Sequence, residues 1–136
     1  MKMIFSVICL SLFLLPVSVY AVETIREGLW EITTSFEMPG AKGKLPTTSI
    51  RHCYTKEEVK DHKNVVAAKN KDCVVTQQKV VGNRITWAMK CTGKNAGTFN
   101  GETVMNPESY QSVMQMKSQG HTMVMKINGK RIGKCK

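Results

Sequence analysis

Four methionines and one histidine are spaced so that they could form a single metal site. Met114-Gln115-Met116 is followed by a polar turn and then by His121-Thr122-Met123-Val124-Met125. Residues two apart in a strand point to the same face, so each methionine pair projects together. Thioether sulfur is a soft ligand that suits copper(I) or silver(I). The competing interpretation, which the usual burial of methionine favours, is that these flexible side chains fill gaps in a core.

Cysteine usage indicates disulfides rather than a second metal site. Five cysteines are present, and Cys9 lies within an apolar N-terminal run. The other four lack the Cys-x-x-Cys spacing of zinc, haem or redox sites. An even number of cysteines in a small exported chain is typical of two disulfides. The four residues are Cys53, Cys73, Cys91 and Cys135.

Strand geometry favours one pairing of these four cysteines. Gly82-Asn83 has the composition of a two-residue hairpin loop. With that loop Val74 lies opposite Cys91, so Cys73 and Cys91 point to opposite faces of the hairpin. A β-bulge would bring them together, but the simple register does not. The predicted pairs are therefore Cys53–Cys73 and Cys91–Cys135.

Residues 1–21 have the pattern of a secretory signal peptide. Lys2 precedes the apolar run Ile4–Leu15, and small residues occupy the −3 and −1 positions of a cleavage site after Ala21. The run is shorter than the ~18 residues that a membrane-spanning helix needs. We therefore predict one domain, residues 22–136, that is periplasmic or secreted and does not span the membrane.

Positive charge is a second feature that could recognise a partner. Loss of residues 1–21 removes one of the 20 basic residues and none of the 10 acidic ones, so the net charge falls from +10 to +9. Outside the cytoplasm such a field attracts envelope anions rather than nucleic acid, and no run of aromatics is present to stack bases. Solubility alone is the other reason for this charge. The candidate residues for binding an anionic surface are Lys56, Lys60, Lys63, Lys126, Lys130, Arg131 and Lys134.

Catalytic and cofactor motifs are missing from the sequence. His52, His62 and His121 stand in no His-x-His or His-Glu-x-x-His setting. No Gly-x-Ser-x-Gly elbow, phosphate-binding loop or dinucleotide fingerprint occurs. We therefore predict a protein that is not an enzyme and has no cofactor, with a hydrolase that lacks a recognisable motif as the weakest alternative.

Strands must position these residues, because apolar and polar side chains alternate through most of the chain. Turn signals recur at roughly ten-residue spacing, which is typical of an antiparallel meander. We predict a mainly β fold: one meander of about eight strands in a strongly curved sheet or open barrel. Gly129 separates the last two predicted strands. Thr55-Lys56-Glu57-Glu58 is a capping box, which predicts one short surface helix.

The landmarks of the chain resemble those of a known family. They are Gly28-Leu29-Trp30-Glu31, Met38-Pro39-Gly40, Cys53-Tyr54-Thr55-Lys56-Glu57-Glu58, Trp87 before Cys91, and the run from Gly129 to Cys135. Together they resemble the small secreted bacterial proteins of the domain of unknown function numbered thirty-six seventeen. The resemblance implies a β-rich fold and a periplasmic or envelope location, and it implies no activity. Relatives have Leu-Thr-Pro after the cysteine, where this chain has Tyr54-Thr55-Lys56 and so lacks the helix-starting proline.

Two kinds of function follow from these observations. The first is a non-enzymatic exported protein that binds an anionic envelope component or an apolar small molecule. The apolar molecule would be held by an inward face with the methionines and with Trp30, Phe36, Ile85 and Trp87. A fully packed interior is the alternative to that apolar site. The second is a soft-metal protein that uses Met114, Met116, His121, Met123 and Met125.

Overall fold

The computed structural model describes residues 24–40, 45–61 and 71–136. The predicted signal peptide, residues 1–21, lies outside the described residues, as do His62 and Lys63. Within the described ranges no helix is long and apolar enough to cross a membrane. The elements are β1 (Gly28–Glu37), β2 (Thr48–Tyr54), α1 (Lys56–Lys60), β3 (Cys73–Val81), β4 (Arg84–Cys91), a 3-10 turn (Gly93–Asn95), β5 (Gly97–Asn106), β6 (Ser109–Ser118) and β7 (His121–Gly133).

The seven described strands form one antiparallel sheet with the order β2-β1-β7-β6-β5-β4-β3. The chain runs as a meander from β3 to β7, and the hairpin of β1 and β2 is added at the free side of β7. The outermost strands of this sheet are β2 and β3, so the sheet is not closed. The predicted mainly β fold, an antiparallel meander with one short helix, is confirmed.

Strand β7 explains why the sheet has seven strands where about eight were predicted. Gly129 was expected to separate two strands, yet β7 continues through it to Gly133. Gly129 lies opposite Tyr110, and a Cβ at position 129 would collide with the ring of that tyrosine. The glycine therefore marks a close approach of a side chain to the backbone and not a break in the strand.

The disulfides differ from the predicted pairs, which are wrong. The structure joins Cys73 to Cys91, with 4.0 Å between their Cα atoms, and Cys53 to Cys135, with 5.7 Å. A register shift between Val75 and Gln77 inserts one extra residue into β3 and sets Cys73 directly opposite Cys91. Strands β2 and β3 lie at opposite edges of the sheet, and Cys53 is bonded to Cys135 in the tail after β7, so the predicted Cys53–Cys73 pair does not form.

Helix α1 follows from the predicted capping box. The Glu58 backbone N–H donates to Thr55 Oγ1 at 3.3 Å, and the Thr55 backbone N–H donates to Glu58 Oε2 at 2.7 Å. The helix ends at Lys60, close to the predicted end. Its residue Val59 packs against the core, while its lysines face solvent.

The core lies on one face of the sheet, towards the start of β1 and the end of β7. Trp30 is fully buried at its centre, with its ring 5.6 Å from that of Tyr110. Ile25, from the segment before β1, and Val59 of α1 join this cluster and cover it. The buried apolar side chains of the cluster are Ile25, Trp30, Ile32, Ile85, Trp87, Met105 and Tyr110. Of the residues predicted to point inward, Phe36 remains half-buried and lies outside this cluster.

Candidate functional site

The four methionines of the predicted metal site share one face of the sheet. In the pairing of β6 with β7, Met114 lies directly opposite Met125, and Met116 lies directly opposite Met123. Side chains at these facing positions point to the same side of the sheet. The sequence-based expectation that each pair projects together therefore extends to all four residues.

Two phenylalanines flank the four methionines. Phe36 of β1 lies opposite Met125, and Phe99 of β5 lies opposite Met116. Met89 of β4 lies opposite Phe99 and extends the same face by one more strand. All of these side chains are half-buried. We call this surface the methionine face: Phe36, Met89, Phe99, Met114, Met116, Met123 and Met125.

His121 stands at the rim of the methionine face. It is the first residue of β7, lies opposite Ser118 and is exposed. Because it is two residues from Met123, its side chain is on the same face. Among the described residues, no three His, Cys, Asp or Glu side chains come together as a metal site, so thioethers are the donors that a metal would meet here.

A second candidate site lies at the other end of the same sheet face. Two cavities adjoin there, with volumes of about 490 Å³ and 300 Å³. They share Glu27, Lys56 and Arg131 in their linings, and Val59 and Tyr54 provide apolar surface. We call this region the basic cleft, after the five cations that line it: Arg26, Lys56, Lys60, Arg131 and Lys134.

Backbone geometry positions Arg131 in the basic cleft. Its Nε donates to the backbone carbonyl of Glu27 at 2.8 Å, and its guanidinium lies 3.4 Å from Glu108. Gly28 has a φ of 140°, and a Cβ there would lie 2.7 Å from Arg131 Nε. A glycine at position 28 therefore leaves the space that the arginine side chain occupies.

Ion pairs neutralise part of the charge in the basic cleft. Arg26 lies 3.0 Å from Glu108, and Lys56 lies 3.8 Å from Glu27. These pairs are exposed, and exposed pairs are weak, so an incoming anion can replace the carboxylates at little cost. Within the described ranges, no carboxylate lies within ion-pair distance of Lys60 or Lys134.

A pair of tyrosines lies between the basic cleft and the core. The hydroxyls of Tyr54 and Tyr110 are hydrogen-bonded at 3.2 Å, and Tyr54 lines the larger cavity. Burial raises the pKa of both hydroxyls. Both tyrosines therefore stay protonated at neutral pH. The hydroxyl of Tyr54 can form a hydrogen bond with a ligand, but it does not act as a general base.

The structure separates the seven residues predicted to bind an anionic surface. Lys56, Lys60, Arg131 and Lys134 meet in the basic cleft. Lys126 lies far along β7 and is paired with Glu37 at 2.7 Å. Lys130 is next to Arg131 on β7, so its side chain points to the opposite face of the sheet. Lys63 is outside the described residues.

Sequence reasoning missed Arg26 of the basic cleft. This residue precedes β1, and its backbone N–H donates to the carbonyl of Pro107 in the turn between β5 and β6. These two residues are far apart in the sequence, and no local sequence pattern predicts their contact. The only sequence signal is that a basic residue follows the apolar Ile25 just before the first strand.

Comparison with known families decides the relationship of this chain. The family model described as "Protein of unknown function (DUF3617)" matches residues 25–135. The chain belongs to this family. The match covers the whole sheet and confirms the resemblance seen in the sequence. Searches of curated proteins and of solved structures find no match. The DUF3617 assignment carries no activity, so function has to be argued from the two sites.

Proposed function

We propose that this DUF3617 protein is a non-enzymatic exported protein whose basic cleft binds an anionic amphiphile of the cell envelope. The observation that carries the proposal is the meeting of five cations from three separate segments around two adjoining cavities. The segments are the residues before β1, helix α1 and the end of β7 with the tail that follows it. Cations gathered from such distant parts of a chain concentrate positive potential where a small anion can enter.

The ligand class follows from the lining of the basic cleft. Arg26 and Lys56 have exposed side chains that can reach a phosphate or carboxylate, while Arg131 is more deeply set, with 22 % of its side chain exposed. Val59 and Tyr54 offer apolar surface next to these cations. A lipid phosphate with part of its acyl chain satisfies both the charged and the apolar parts. This ligand combines the anionic and the apolar alternatives of the sequence analysis.

Binding rather than catalysis is proposed because cations dominate the lining of the cleft, where five of them meet two carboxylates, Glu27 and Glu57. Its tyrosine, Tyr54, is kept protonated, and its two cysteines, Cys53 and Cys135, are bonded to each other. The carboxylate of Glu27 is engaged with Lys56. The soft-metal alternative uses a different surface, the methionine face, and does not compete for these residues.

Export would bring the protein into the compartment where such a ligand is present. The predicted signal peptide, residues 1–21, and four cysteines in two disulfides support it, because disulfides persist in oxidising compartments. Mass spectrometry of native protein is expected to find a chain that begins at Val22 and is four hydrogens lighter than its reduced form. Native protein with Met1 retained would contradict export by this route.

Cosedimentation with vesicles tests the cleft. The protein is expected to bind vesicles of phosphatidylglycerol and phosphatidylcholine at low salt and not to bind vesicles of pure phosphatidylcholine. It is expected to dissociate from the mixed vesicles as the salt concentration rises. The double variant Lys60→Gln with Lys134→Gln is expected to weaken vesicle binding by about 30-fold. Each lysine near an anionic surface contributes about 1 kcal/mol of binding free energy, and the two contributions are lost together. Inorganic phosphate is added to a parallel sample at the same concentration as the lipid. Release of the protein from the vesicles by phosphate would contradict a need for the apolar part of the ligand.

A second variant separates the cleft from net charge. Lys90→Gln with Lys117→Gln removes the same two charges from exposed positions near the far end of the sheet. This control is expected to reduce vesicle binding by much less than the cleft variant. Equal losses in the two variants, or no binding of the wild-type protein at low salt, would overturn the proposal.

A further inference from the structure

We infer that the methionine face holds a soft monovalent cation, copper(I) or silver(I), between Met114, Met116, Met123 and Met125. Facing residues of an antiparallel pair have Cβ atoms about 5 Å apart, and residues two apart along a strand are separated by about 7 Å. The four Cβ atoms therefore lie at the corners of a small rectangle. Unbranched side chains with three rotatable bonds can bring their sulfurs together above its centre.

Packing against the core does not account for three of these four methionines. The buried cluster around Trp30 is contacted by Met114, but Met116, Met123 and Met125 are outside the residues that pack against it. All four side chains are only partly buried. These side chains are therefore open in part to solvent, from which an ion can reach them.

The donor set selects the ion. Thioethers are neutral and soft, so they favour copper(I) and silver(I) over magnesium, calcium or zinc. The four cysteines of the described ranges are bonded in pairs, and the same ranges contain no cluster of three His, Cys, Asp or Glu side chains. Phe36 beside Met125 and Phe99 beside Met116 add aromatic rings that attract a cation.

His121 occupies the entrance of this site. It is exposed and on the same face, two residues before Met123 on β7. An imidazole is a good ligand for copper, and at the rim it can take up an arriving ion and pass it to the four thioethers. The centre itself is built from sulfur, so His121→Asn is expected to keep most of the affinity.

Silver(I) titration of the oxidised protein tests the inference, with isothermal calorimetry as the readout. Copper(I) is measured in parallel under anaerobic conditions against a chromophoric chelator. Met116→Leu with Met123→Leu removes two of the four ligands. Mutation of residues that only support the metal ligands lowers metal affinity by about 10–100-fold. Because this variant removes two ligands themselves, its affinity for silver(I) is expected to fall by at least about 100-fold. Methionine-to-leucine changes preserve volume, so thermal unfolding is expected to show a folded variant.

Met89→Leu is the matched control. Met89 is a half-buried methionine of the same face, but β5 separates its strand from Met116, so about 10 Å lies between them. This variant is expected to bind silver(I) like the wild-type protein. Wild-type affinity in the double-leucine variant, an equal loss in Met89→Leu, or complete loss in His121→Asn would each overturn the inference. The test does not involve the basic cleft, so its outcome is independent of vesicle binding.

Discussion

The two ends of the sheet face differ in what lies over them. At the end with the basic cleft, Ile25 and Val59 cover the apolar side chains, and Trp30 and Ile85 are almost completely buried. At the end with the methionine face, the described residues leave Phe36, Met116 and Met123 half-buried. The covered end holds the fold together and carries charge at its rim, whereas the open end offers apolar and sulfur-bearing surface to a ligand.

Loss of a disulfide is the first way to compare the two regions, because each bond closes a loop of different length. Cys53–Cys135 closes a loop of 82 residues beside the basic cleft, while Cys73–Cys91 closes 18 residues at the opposite edge. The chain-entropy estimate gives about 4.5 kcal/mol for the first bond and about 3 kcal/mol for the second. Urea unfolding of Cys53→Ala with Cys135→Ala is expected to show the larger loss. A larger loss from Cys73→Ala with Cys91→Ala would contradict this ranking.

Truncation of one aromatic side chain at each end sharpens the comparison. Trp30→Ala removes a fully buried side chain and is expected to lower the free energy of unfolding by about 3–5 kcal/mol. Phe36→Ala removes a half-buried one and is expected to cost about 1 kcal/mol. Chemical denaturation measures both, and similar costs would show that the methionine face is as closely packed as the core.

The smallest expected effect concerns the carboxyl of Glu58 in the capping box. The backbone N–H of Thr55 donates to this carboxyl and holds its pKa below the usual value. A carboxyl with a lowered pKa in the folded state stabilises the protein above its unfolded pKa, and this contribution is lost as the pH falls through the folded pKa. The stability difference between the wild type and Glu58→Gln is expected to shrink on acidification from pH 6 to pH 3. A difference that stays constant over this range would contradict the role of the charge.

Local patterns predicted the strands and the helix cap well, because alternation and capping are properties of neighbouring residues. Two glycines show the limit. Gly82 marks a turn, as predicted, whereas Gly129 lies within β7 under the ring of Tyr110. Both are glycines in a β-rich context, and only the position of a residue distant in sequence distinguishes them.

The disulfide pairs could not be derived because they depend on one inserted residue. The bulge between Val75 and Gln77 reverses the face of every residue before it in β3. The sequence CVVTQQKVV has no feature that requires the bulge. The placement of β1 beside β7, which leaves Cys53 close to Cys135, is also a long-range pairing that alternation alone does not specify.

The two candidate sites differ in the same way. The four methionines at the centre of the methionine face were predictable, because they require only that β6 and β7 form a hairpin in which every second residue shares a face. The basic cleft was predictable only in part. Its lysines stood out as charge, but their meeting with Arg26 depends on the chain before β1 passing the turn at Pro107.

Strand β7 contributes residues to both sites and so fixes the distance between them. Its 13 residues run without interruption from His121 at one end to Gly133 at the other, and Met123 and Arg131 are eight positions apart on it. At about 3.4 Å per residue their Cα atoms are separated by about 27 Å. A compact molecule can therefore fill one site while the other stays vacant, and only an extended one, long enough to lie along most of this strand, could touch both at once.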